Sequence, residues 1–126
     1  MTEATIACRG IRGATTVEDG GIEAATLELL DAVVEANGCR LDDVAAVMFT
    51  LTDDLAGGNP AAAARTAGWS RVPLIQTREH GGDPALARCL RVLVLWNTSA
   101  SQDQIRHVYL RGASMLRPDL ATGGRR

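Results

Sequence analysis

Three arginines stand inside runs of strand-forming, mostly apolar residues. Arg12 lies in Arg9-Gly10-Ile11-Arg12-Gly13-Ala14-Thr15-Thr16. Arg91 lies in Cys89-Leu90-Arg91-Val92-Leu93-Val94-Leu95-Trp96, and Arg106 in Asp103-Gln104-Ile105-Arg106-His107-Val108-Tyr109-Leu110. A guanidinium on a strand is costly to bury unless an anion meets it. Its planar fork pairs with carboxylates and stays charged when desolvated. The chemistry these residues suit is the capture of a small, doubly charged anion. A purely structural alternative also stands for Arg91, an ion pair with Glu79.

The elements that must carry these arginines follow from patterning. A first strand is predicted from Thr5 to Val17. Ile22, Thr26, Leu29, Leu30, Val33 and Val34 then recur at helical spacing, with Asn37-Gly38 as the stop. Val44 to Thr52 reads as a strand apolar on both faces until Thr50, and such strands are normally covered on both faces. Asp53 to Gly58 reads as a flexible loop. Asn59 as N-cap and Pro60 at the first helical position open a short helix that carries Arg65 and stops at Gly68. Val72 to Arg78 and Cys89 to Asn97 are two more strands, joined through a mobile His80-Gly81-Gly82-Asp83-Pro84 connection. Beyond Thr98 two readings compete. Ser101-x-x-Gln104 is a capping box, favouring a helix, whereas Ile105 to Leu110 allows a strand.

A chain of 126 residues is one domain, residues 1–126, with a frayed tail at about 121–126. Two helices cannot cover both faces of its sheet. A mixed α/β (α+β) fold with helices on one face is expected, and a second copy of the chain is the simplest cover for the other. The composition is 46% hydrophobic but only 3% aromatic, so Val, Leu, Ile and Ala must build the core. Net charge is −2, with no basic stripe, which argues against a nucleic-acid partner. The three cysteines form no C-x-x-C pair, so neither a disulfide framework nor a zinc site is indicated, and free thiols fit the cytoplasm. No apolar run is long enough to span a bilayer.

Arg9 to Thr16, Gly68-Trp69-x-x-Val72-Pro73 followed by Glu79, Gln102 to Leu110, and Leu116-Arg117-Pro118-Asp119-Leu120 together resemble one enzyme family. It is the monofunctional chorismate mutases of the trimeric pseudo-α/β-barrel type. The resemblance runs from about Arg9 to Leu120. It implies a five-stranded mixed sheet and a homotrimer with active sites in clefts between subunits. It further implies Claisen rearrangement of chorismate to prephenate, toward phenylalanine and tyrosine, without cofactor, metal or covalent intermediate. It also favours strand for Ile105 to Leu110.

Residue by residue, the resemblance makes Arg91 the cation on the breaking ether oxygen. Arg12, helped by Tyr109, binds the enolpyruvyl carboxylate. Glu79 accepts from the ring hydroxyl, and Arg65 and Arg117 at the mouth face the ring carboxylate or attract the dianion. Gln76 stands where a Cys or small polar residue often bonds the substrate, Asn59 where an aromatic closes over it, and Ala62 where a Lys is often found. Of these departures, the lost aromatic and the lost Lys predict a raised KM with kcat less affected, while Gln76 can still donate an amide hydrogen bond. They also leave room for a member acting on a related chorismate-like dianion, or for a non-catalytic metabolite-binding trimer.

Overall fold

The first strand, β1 (Ala7–Thr16), feeds the long helix α1 (Gly21–Asn37). A computed structural model describes residues 5–55, 57–80 and 86–117 of the chain. After α1 come β2 (Val44–Leu51), a short α2 (Pro60–Ala64), β3 (Leu74–Arg78), β4 (Cys89–Thr98) and a two-residue β5 (Val108–Tyr109). They form one mixed sheet in the order β3-β2-β4-β1-β5. The β1–β4 and β2–β4 pairs are antiparallel, and β1–β5 and β2–β3 are parallel.

The apolar stripe of α1 explains its seat. Ala25, Thr26, Leu29, Leu30 and Val33 are buried, and the Thr26 hydroxyl donates to the Ile22 carbonyl at 2.7 Å, within its own helix. Gly38 ends the helix at φ 70°, the left-handed conformation that glycine adopts without penalty. Ile11 of β1, Val47 and Phe49 of β2, and Leu90, Val92 and Val94 of β4 meet the helices in one core. At Gly13, side chains of α1 come close against the sheet. A Cβ there would lie 2.8 Å from Val92 Cγ1 and 3.2 Å from Leu29 Cδ1. The second glycine of the Arg-Gly-Ile-Arg-Gly run is thus a packing requirement.

Strand alternation sends every other residue to the opposite face. That second face carries Ala46, Met48 and Thr50 of β2, Ile75 and Thr77 of β3, and Arg91, Leu93 and Leu95 of β4. The helices do not cover it. Met48 is 41% exposed and Ile75 60% exposed, and with Leu93 and Leu95 they line a shallow apolar depression. The half-covered sheet expected from the helix count is what the fold presents.

Local boundaries follow the predicted chemistry, with instructive differences. Asn59 caps α2 by accepting from the Ala62 N–H at 3.0 Å, and Pro60 is its first residue. The helix gives way at Arg65 to a wider turn, Arg65–Trp69, in which Gly68 takes φ 109°. The expected loop after β2 opens with a single turn, Asp53–Leu55. The Asp54 carboxylate there accepts from the Thr52 hydroxyl and from the Arg88 N–H, holding its acid below the usual carboxylate range. Both readings of the segment after Thr98 are realised. The capping box of Ser101 and Gln104 heads one turn, Gln102–Gln104, and a two-residue strand follows. The expected frayed tail, and residues 81–85 of the connection before β4, lie outside the described residues.

Candidate active site

Register assembles the site. Arg91 pairs with Thr50 on one side and with Ala14 on the other, and Ala14 pairs with Tyr109. Directly paired residues point to the same face. Thr50, Arg91, Ala14 and Tyr109 therefore form a row across four strands on the face that the helices leave open. Arg12, two residues before Ala14, shares that face and is exposed. Ala14 is fully buried between its neighbours, and Tyr109 packs with Ala14, Cys89 and Ala113 in a small cluster of its own. A larger residue than Ala14 would fill the space between the arginine and the tyrosine.

Glu79 follows β3, and its N–H donates to the Leu51 carbonyl at 2.7 Å, which extends the β2–β3 pairing by one residue. Its carboxylate accepts from the Thr50 hydroxyl at 2.6 Å and lies 3.6 Å from Arg91 Nε. That last separation is too long for a hydrogen bond. Among the described residues, Arg91 Nε is buried and has no hydrogen-bond partner. A buried donor without a hydrogen bond is expensive even beside a counter-charge, and an incoming acceptor would relieve that cost. The Glu79 ion pair considered from sequence therefore exists, yet it leaves Arg91 Nε without a hydrogen bond. Thr50 is the residue that sequence reasoning missed. Its signal was present, since it is the first polar side chain on an otherwise apolar strand.

On the far side of β1, the Arg12 N–H donates to His107 Nδ1 at 2.9 Å. The imidazole is therefore neutral, with its proton on Nε2. Burial holds the His107 pKa below the ordinary value, and the charges of Arg12 and Arg117 push the same way. Arg117 thus sits within electrostatic reach of the Arg12 end of the row.

The stretch that leads to Arg117 is pinned from both sides. Arg111, at φ 52°, gives a two-pronged contact to Glu28 at 2.9 and 3.0 Å, and the Gly112 N–H donates to the Thr16 hydroxyl at 3.1 Å. The Arg111 contact holds the Glu28 acid below its usual range.

The His107 contact carries a pH prediction. The unfolded chain protonates His107 near 6.5, whereas the folded chain resists. Acidification through that value therefore favours unfolding, and the loss grows until the lower folded value is passed. Wild type is expected to lose more melting temperature between about pH 7 and about pH 5 than His107→Asn, which keeps an acceptor and cannot titrate. Parallel melting curves over that range would refute it.

Arg65 and Gln76 belong to a different part of the chain. Arg65 is exposed at the end of α2. Gln76 pairs with Phe49, so its side chain lies on the helix face and not with Arg91. Its Oε1 accepts from the Ala61 N–H at 3.0 Å, and its Nε2 donates to the Gly58 carbonyl at 3.3 Å. Thus Arg12, Glu79, Arg91 and Tyr109 come together on the open face, with Arg117 near His107. Gln76 instead meets the start of α2, and Arg65 follows its end.

Residues 8–120 match the family model described as chorismate mutase type I. The chain belongs to that family. A chorismate mutase from Thermus thermophilus is 54% identical over 116 residues, covering 89% of this chain and 95% of its own length. One from Bacillus subtilis is 42% identical over 117 residues, covering 90% and 92% respectively. A solved chorismate mutase from Clostridium thermocellum superposes with a TM-score of 0.80 at 41% identity, covering 84% of this chain and 97% of that one. The five-stranded sheet of this chain is thus the type I chorismate mutase fold. Among the described residues, no helix is long and apolar enough to cross a membrane.

Proposed function

We propose that the protein catalyses the Claisen rearrangement of chorismate to prephenate, a step toward phenylalanine and tyrosine. The observation that carries this reading is the unsatisfied Arg91 Nε beside Glu79, in one row with Tyr109 and beside Arg12, in a chain of this family.

The substrate is a dianion that must fold into a chair with its enolpyruvyl tail over the ring. The C–O bond breaks ahead of C–C bond formation, so negative charge grows on the ether oxygen and positive charge on the ring. No proton moves and no nucleophile attacks. Arg91 meets the ether oxygen with its guanidinium, whose Nε makes no hydrogen bond among the described residues of the single chain. Such an interaction strengthens as the charge develops, and only that differential raises kcat. Glu79 accepts from the ring hydroxyl and balances the ring's positive charge, with Thr50 holding its carboxylate in place. Arg12 and Tyr109 hold the enolpyruvyl carboxylate, and Arg65 and Arg117 serve the ring carboxylate. Fixing the chair is the second contribution, worth up to about 7–11 kcal/mol in well-oriented systems.

The active assembly in this reading is a trimer with sheets packed about a threefold axis. The uncovered apolar end of the sheet, Met48, Ile75, Leu93 and Leu95, supports it. So does the separation of Arg65 from the Arg91 row on one chain, which a neighbour's α2 edge would close. Mixing purified protein with chorismate tests the reading. Its ultraviolet absorbance is expected to fall, and acid should convert the product to phenylpyruvate. Unchanged absorbance would overturn it.

A further inference from the structure

We infer that Gln76 is a positioning residue, which staples the start of α2 to the edge strand and so fixes where Arg65 presents its charge. The inference rests on the functional reading above only for its kinetic readout.

The geometry starts from the chain that enters α2. Gly57 and Gly58 leave the backbone there with wide conformational freedom, and ordering glycine costs more than ordering any other residue. Pro60 has no N–H to offer. Asn59 serves the Ala62 N–H. The Ala61 N–H and the Gly58 carbonyl remain on either side of the bend, and Gln76 takes both. One planar amide therefore bridges the two ends of the turn. Gly58 is held close enough to α1 that a Cβ would approach Ile22 Cγ1 at 3.1 Å and the Leu55 carbonyl at 3.2 Å. The bend thus rests against Ile22 of α1 on one side and Gln76 of β3 on the other.

From that bend, α2 runs for only five residues, and Arg65 is the next one. A helix this short has little stability of its own, so its direction is set by what holds its ends. Trp69, buried in the core, anchors the far end. Gln76 anchors the near end. With its amide spent on the backbone and its side chain on the helix face, Gln76 influences the substrate through Arg65.

The test is a double-mutant cycle on the full-length protein with chorismate as substrate. Gln76→Met keeps the shape and removes both hydrogen bonds. KM is expected to rise about three- to tenfold, the scale of one or two neutral hydrogen bonds, while kcat changes by less than about twofold. Gln76→Glu keeps the acceptor for Ala61 but sets an oxygen against the Gly58 carbonyl, and should show a smaller rise. In an Arg65→Ala background, Gln76→Met should raise KM no further, because the residue it positions is gone. Independent, multiplying effects of the two substitutions would show direct substrate contact and overturn the inference. So would an unchanged KM in either Gln76 variant, or in Arg65→Ala alone. Hydrogen exchange at the Ala61 amide gives a readout without substrate, expected to accelerate in Gln76→Met. Wild type without turnover would defeat the functional reading, whereas a slow Ala61 amide in Gln76→Met would defeat the staple itself.

Discussion

Arg91→Ala is expected to lower kcat about a thousandfold or more, the upper range for loss of one preorganised oxyanion donor. Two effects combine at this position. The variant removes the guanidinium whose Nε is buried and makes no hydrogen bond among the described residues. It also strips Glu79 of its nearby cation, since the two lie 3.6 Å apart, which leaves a half-buried carboxylate facing the substrate dianion. Arg91→Lys should recover only part of the loss, because an ammonium keeps the charge but not the direction of the guanidinium donor. KM should change far less than kcat, since the charge on the ether oxygen is greatest in the transition state. Steady-state kinetics beside circular dichroism and light scattering check this. A folded Ala variant within about tenfold of wild-type kcat would mean that the oxyanion is stabilised elsewhere.

Ile75→Asp is expected to yield a folded single protomer with activity reduced at least about a hundredfold, because an uncompensated carboxylate on an apolar contact is strongly disfavoured. Ile75 is 60% exposed on the single chain, so the substitution takes little from the core. Its neighbours across the sheet are Met48, its partner in the β2–β3 register, and Leu93, which pairs with Met48. In a trimer packed through this face, three copies of the carboxylate would be buried together. Arg65 would then no longer reach the site on a neighbouring chain. Light scattering should report one chain, with far-ultraviolet dichroism unchanged. A fully active monomer, or an Ile75→Asp variant that still assembles as a trimer, would remove the argument that this face joins subunits.

The behaviour of Gln76 shows where residue type stops being informative. On the sequence, Gln76 and Glu79 lie three residues apart in one extended segment, and both resemble site positions. The pleat sends them to opposite faces. Glu79 joins Thr50 and Arg91, and Gln76 turns to the start of α2. Alternation alone predicts that they part. Which of the two meets Arg91 depends on the β2–β4 register, and an irregularity between Val44 and Ala46 shifts that register.

Other features were legible because they are local. The α1 stripe, the Gly38 stop, the Asn59-Pro60 start and the Ser101–Gln104 capping box all depend on contacts within a few residues. The capping box also shows the limit of local reasoning. It formed as predicted but held only one turn, since β5 pairing with β1 claimed the next residues.

By itself, the sequence determined the chemistry on offer: guanidinium groups on strands, one acidic partner, an apolar sheet too large for its helices, and the family. Those are properties of residue types and short spacings. Only the tertiary structure decided that Thr50, Arg91, Ala14 and Tyr109 share a row, that Arg91 Nε makes no hydrogen bond among the described residues, and that Gln76 faces the backbone of a turn. Each of these is set by pairing between strands distant along the chain. A shift of one residue in that pairing would exchange the two faces, and no local pattern encodes it.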